Sequence, residues 1–176
     1  GEEEEVGAPS APSVVQLAVR GRAWVVDTSA PTPAAREFFA WLCSCGGLSL
    51  LGFAFARDAE KLTALAGRPP DAVVDLQVLA LRFAPKGWTP GLRHVAEAWL
   101  GRTLDKSQQC SDWGRRPLSE EQLVYAAADA AVLLDVAEAM GVVPGAPPSE
   151  VPTARPPRWR CSLAASAREF PATTPR

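Results

Sequence analysis

The stretch LSEEQLVYAAADAAVLLDVAEAM, residues 118–140, is the longest segment that reads as one helix, and it carries Tyr125, the sole tyrosine of the chain. Residues i and i+4 of a helix lie about 40° apart around the axis, so Tyr125 and Asp129 share a face. Leu123, Ala127, Ala130, Leu134 and Ala137 recur at 4-3-4-3 spacing and are predicted to form the core stripe. Glu121, Asp135 and Glu138 fall on another face and read as solvated, which leaves Tyr125 and Asp129 at the border beside Val132 and Val136. The alanines between them leave room for a ligand to approach. From these residues alone the pair reads as a packed aromatic with a wet hydroxyl followed by a solvated carboxylate, rather than as half of a site.

Outward from this helix, the chain alternates element types. SVVQLAVRGRAWVVD gives two strands, 14–19 and 23–27, turning at RGR. TPAAREFFAWLCSC places Phe38, Phe39, Trp41 and Leu42 at helical spacing behind a Thr-Pro start. GGLSLLGFAF is a nearly continuous apolar run, of the kind buried on both faces of a sheet. RDAEKLTALAG is a short helix closed by Gly67, AVVDLQVLALRFAP a brief strand or helix lead-in, and PGLRHVAEAWLG a helix ending at Gly101. An irregular polar loop, 102–117, precedes the long helix. A hairpin followed by helix–strand–helix alternation predicts an α/β domain with a mixed sheet flanked by helices.

Residues 1–12 form an acidic stub with Glu2 to Glu5, residues 13–140 the domain, and 141–176 a proline-rich linker or tail. The chain opens on Gly1, and we expect a piece of a longer, soluble, intracellular protein without a membrane span. Cys43, Cys45, Cys110 and Cys161 form no CxxC pair, and His94, the sole histidine, is remote from them, so the cysteines read as reduced thiols rather than a zinc site. Residues 13–140 hold 13 Lys and Arg against 14 Asp and Glu. That balance announces no nucleic-acid binder, yet a basic patch beside an acidic metal site averages to the same value. Asp58 opens a helix directly after the most apolar strand, a position that suits either helix electrostatics or a carboxylate ready for a hard cation. Asp27 and Asp75 at strand ends read as capping or turn residues, and Asp105 and Asp112 as loop hydrogen-bonders.

LDKSQQCSDWGRRPLSEEQLVYAAADAAVLL, residues 104–134, resembles the C-terminal signature of the DEDDy 3′–5′ exonucleases, the RNase D-like group, in particular the animal proteins of the mutator type. The match comprises a Lys-containing loop, Ser-x-Trp, Arg-Pro-Leu and Tyr-x-x-x-Asp, and weaker similarity extends over residues 13–140. The resemblance implies an RNase H-like fold and hydrolysis of phosphodiesters of RNA or DNA from the 3′ end, with two Mg²⁺ or Mn²⁺ ions as cofactors. It implies metal ligation by Asp58 and Asp129 and orientation of the attacking water by Tyr125. Val124 excludes the variant with histidine at that position, so His94 has no catalytic claim. Lys106, Arg115 and Arg116 are expected on the backbone phosphates of a single-stranded or 3′-ended nucleic acid, and Trp113 against a base or beneath the loop. The family's first motif, Asp-x-Glu on an opening strand, would lie upstream of SVVQLAV, where this chain has GEEEEVGAPSA. We therefore expect the first strand and two of four carboxylates to be missing, leaving a fragment of weak or no activity. The alternative is a module that binds nucleic acid or protein and has lost catalysis.

Overall fold

The computed structural model describes residues 11–142; the acidic segment 1–10 and the proline-rich segment 143–176 lie outside the described residues. Nine elements follow one another: β1 (Val14–Val19), β2 (Arg22–Asp27), α1 (Pro33–Ser44), β3 (Leu50–Gly52), α2 (Ala56–Ala66), β4 (Val73–Asp75), α3 (Leu76–Leu81), α4 (Leu92–Leu100) and α5 (Glu120–Ala139). β1 and β2 pair antiparallel across a tight turn at Gly21, whose φ of 78° favours glycine. Thr32 caps α1 by accepting from the Ala35 N–H at 3.2 Å, with Pro33 at the first helical position. Gly67 closes α2 in the left-handed region, its N–H donating to the Thr63 carbonyl at 2.8 Å. A capping box, Ser119 with Gln122, starts α5.

The segment 72–85 holds both elements that its sequence suggests, strand β4 and then helix α3, and Asp75 is the junction. The apolar run at 48–55 yields only a three-residue strand, half-buried at Leu50 and Leu51, because the chain turns sharply after Gly52. β3 pairs with β4 in parallel. Antiparallel and parallel pairing are both present, but as two two-stranded sheets rather than one mixed sheet. Among the described residues no strand joins them.

Helices bury each sheet. Val15, Leu17 and Val26 of the hairpin pack on Phe39 and Cys43 of α1 and on Leu62 and Leu65 of α2. Val74 packs with α3, α4 and α5, around Val95, Trp99, Val136 and Met140. α5 therefore lies where hairpin and parallel pair meet, and its rotation about its own axis differs from the expected one. The buried residues are Gln122, Ala126, Val132, Val136 and Ala137, whereas Leu123 is 41% exposed. Alanines on all sides of α5 leave the apolar pattern nearly uniform, so periodicity does not determine the phase. Asp129 consequently sits in line with Ala126 and Leu133, closer to the core than a border position. Asp135 and Glu138 are not simply solvated: Arg20, at the hairpin turn, pairs with both, and Arg102 reaches Asp135 at 2.9 Å.

Candidate active site

Asp75 builds one wall of the site. Its Oδ1 accepts from the N–H groups of Ala54 (3.1 Å) and Gln77 (2.9 Å), and its Oδ2 from Phe55 (2.8 Å). One carboxylate thus caps α3 and holds the turn 52–55, where Ala54 adopts a left-handed φ of 52°. Gly52 is required there, since a Cβ would fall 2.5 Å from the Phe55 ring. The turn starts α2 at Ala56 and presents Asp58 in its first turn, exposed.

The other wall is α5. The Tyr125 hydroxyl donates a hydrogen bond to the half-buried Asp129 carboxylate. Burial pushes the Asp129 carboxyl above the ordinary carboxylate range, and the bond from Tyr125 pulls it partly back. The Tyr125 hydroxyl is itself raised, by burial first and by the negative charge of Asp129 second. Trp113 lies against Tyr125, ring centroids 6.1 Å apart at 42°. The tyrosine is held between an indole and a carboxylate.

Two cavities meet at Asp129. One of about 250 Å³ is lined by Asp58, Lys61 and Asp129 together with residues of β1 and β3. The other, about 440 Å³, is lined by Tyr125 and Asp129 and by Asp105, Ser107, Glu120 and Glu121. Asp58 and Asp129 therefore line one cavity, and Tyr125 and Asp129 the other, from two helices distant in sequence.

The basic loop divides. Lys106 and Arg115 are exposed on it. Arg116, expected from sequence on a phosphate, has its donors engaged within the fold. Its Nε and Nη2 donate to Asp27 at 2.6 and 2.7 Å, Nη2 also to the Ser13 carbonyl, and Nη1 to the carbonyls of Trp113 and Arg115. A guanidinium has five N–H donors, and these bonds engage all of them. Asp27 is held well below the ordinary carboxylate range by Arg116 first and by Ser29 second. Asp105 accepts from the Ser107 N–H and hydroxyl, and Asp112 from the Gly114 N–H, as loop hydrogen-bonders. Gln122, which sequence reading passed over, ties α5 to this loop by donating to the Ser111 hydroxyl (2.7 Å) and the Asp112 carbonyl (3.0 Å). The capping-box spacing Ser-x-x-Gln was the available signal. His94 is exposed, edge-on to Trp88 and away from the site.

Hard oxygen donors such as Asp58 and Asp129 suit Mg²⁺ or Mn²⁺. Among the described residues, however, no group of three or more His, Cys, Asp or Glu side chains is placed to hold a metal ion. The donor chemistry fits; the donor number is incomplete. Among the same residues, no helix is long and apolar enough to cross a membrane.

The sequence profile of a family described as 3′–5′ exonuclease matches residues 9–143. The human exonuclease mut-7 homolog is 34% identical over 160 residues, covering 76% of this chain and 18% of the relative. The chain thus spans less than a fifth of that relative's length. Among solved structures, the Aedes aegypti Nibbler EXO domain superposes with a TM-score of 0.61 at 29% identity, over 73% of this chain and 69% of that one. The Trypanosoma brucei RNase D, in complex with RNA U12, gives a TM-score of 0.65 at 26% identity, over 80% and 50%.

Proposed function

We propose, from the premise that this chain belongs to the 3′–5′ exonuclease family and has its RNase H-like fold, that it is the larger part of a nuclease domain. That domain removes nucleotides one at a time from the 3′ end of a nucleic acid strand. The observation that carries the proposal is the meeting of Asp58 and Asp129 on one cavity, with the Tyr125 hydroxyl bonded to Asp129. RNA is the favoured substrate, on the strength of the RNA-bound relative.

In this reading Asp58 and Asp129 hold divalent cations, Mg²⁺ or Mn²⁺, as part of a larger donor set. A bound cation pair supplies electrostatic stabilisation to the attacking and leaving oxygens of the phosphodiester. Tyr125 orients the attacking water through its hydroxyl, and Trp113 holds the phenol ring against rotation. Lys106 and Arg115, exposed on the loop before α5, bind backbone phosphates, and Arg116 positions their loop by gripping Asp27. The folded unit spans residues 13–140.

The test is a 5′-labelled single-stranded RNA and its DNA counterpart, incubated with Mg²⁺ or Mn²⁺. Stepwise shortening from the 3′ end, with release of nucleoside monophosphates, is expected. Cleavage that survives Asp129→Ala would sink the assigned role. A second reading, binding without catalysis, is favoured by the donor count: among the described residues no group of three or more His, Cys, Asp or Glu side chains is placed to hold a metal ion. It predicts metal-independent retention of the oligonucleotide with no shortening.

A further inference from the structure

Thr28 and Gln122 are the buried polar side chains among the described residues, Gln122 being 5% exposed. Each polar atom of the Gln122 carboxamide has a partner. Oε1 accepts from the Ser119 N–H at 2.9 Å, and Nε2 donates to the Ser111 hydroxyl at 2.7 Å and to the Asp112 carbonyl at 3.0 Å. A backbone N–H only donates and a carbonyl only accepts, so these partners fix one orientation of the amide.

The helix cap alone does not account for glutamine. A capping box needs only an acceptor at the third helical position, and glutamate serves as well, with a charge that suits a helix N-terminus. Glu120 and Glu121 already occupy the first turn of α5. Glutamate at position 122 would keep the bond from Ser119 but has no N–H for Ser111 or Asp112. Its charge would also face the Asp112 carbonyl. What glutamine adds is a pair of donors aimed at the loop.

Those donors act on the backbone around Trp113. Gln122 holds the carbonyl of Asp112, the residue before the indole, and the Arg116 Nη1 holds the carbonyl of Trp113 itself at 3.0 Å. The peptide units on both sides of the Trp113 Cα are thus tied, and its ring lies against Tyr125, centroids 6.1 Å apart. Gln122 and Tyr125 stand at i and i+3 on α5. The helix that carries the phenol therefore also carries the grip on the indole beside it.

We propose that Gln122 is a positioning residue: its side-chain N–H donors seat Trp113 against Tyr125, and that contact fixes the phenol whose hydroxyl bonds Asp129. Its effect on cleavage rests on the nuclease reading of Tyr125, whereas its effect on the two rings does not.

The test is Gln122→Glu in the 176-residue chain, with ring-labelled tyrosine observed by NMR; Tyr125 is the sole tyrosine, so a single ring reports. Protection of the α5 amides from exchange is expected to persist, because the cap is kept, while the nuclear Overhauser contacts between Tyr125 and the Trp113 indole are lost. Ser111→Ala, which alters neither charge nor cap, should weaken the same contacts. Ring contacts that persist in both variants overturn the proposal. If Gln122→Glu also unfolds the first turn of α5, Ser111→Ala decides alone: weakened contacts uphold the proposal and unchanged contacts overturn it. With a parent chain that shortens RNA, Gln122→Glu should lower kcat by about tenfold at unchanged KM. In a Tyr125→Phe background the same substitution should cost nothing further, since Gln122 acts through Tyr125. Full additivity of the two losses overturns the positioning role. Loss of the ring contacts in a chain whose parent does not cleave upholds the seating of Trp113 and counts against the nuclease reading instead.

Discussion

Arg116 holds Asp27 through two parallel hydrogen bonds, Nε to Oδ2 at 2.6 Å and Nη2 to Oδ1 at 2.7 Å, across 89 residues of sequence. This fork-to-fork pair pins the loop that carries Trp113 to the end of β2. Because Arg116 and Ser29 depress the Asp27 carboxyl, the pair stabilises the fold above the ordinary carboxylate value near 3.8 and loses that contribution as pH falls below it. Asp27→Asn should melt lower than the parent chain at neutral pH. The gap in Tm should hold down to about pH 4 and close in stronger acid.

Tyr125→Phe keeps the ring beside Trp113 and removes the bond to Asp129. Without that bond the Asp129 carboxyl should titrate higher still, visible by carboxyl NMR. In a catalytically complete domain the variant should lose about 10²-fold in kcat, with RNA affinity unchanged. Equal loss of affinity would mean that the hydroxyl binds substrate instead of orienting water.

Asp129→Asn should stabilise the chain in chelator-containing buffer at neutral pH. Burial raises this carboxyl, so the folded state prefers it protonated, and its cost grows as pH rises through the raised value. The difference in Tm should vanish below the ordinary carboxylate range. Equal melting at pH 7 would remove the argument that this carboxylate is kept for function at the expense of stability.

The rotation of α5 is testable by a pair of truncations. Met140 is fully buried in the core around α3, α4 and α5. Met140→Ala should cost about 2–5 kcal/mol in denaturant unfolding. Leu123→Ala, on the exposed face, should change stability by only about 0.5 kcal/mol. Reversed costs would restore the stripe expected from periodicity.

Lys106 and Arg115 are exposed cations on the loop, whereas the Arg116 donors are engaged. If RNA binds, Lys106→Ala and Arg115→Ala should each flatten the slope of log affinity against log salt by about 0.7. Arg116→Ala should lower Tm and leave that slope nearly unchanged at low temperature. A comparable flattening by all three would return Arg116 to the phosphate contacts.

Much of the local structure was legible because its causes are local. Thr32-Pro33, Gly67 and Gly101 mark helix ends through hydrogen bonds that close within a few residues. The phase of α5 was not legible, since alanine is compatible with either face. Nor was the engagement of Arg116, because a basic residue in a polar loop looks the same whether it meets a phosphate or a carboxylate from a distant strand. The salt bridges of Arg20 with Asp135 and Glu138 went unread for the same reason.

Sequence by itself determined that Tyr125 and Asp129 share one helix face, because helix geometry places i and i+4 together wherever the helix lies. It also determined that Asp58 opens α2, since the strand, the turn and the first helical turn follow in order. Only the tertiary structure decided that Asp58 and Asp129 share a cavity. That outcome depends on how α2 and α5 pack against separate sheets, and packing between distant segments is set by their combined surfaces, not by any window of sequence.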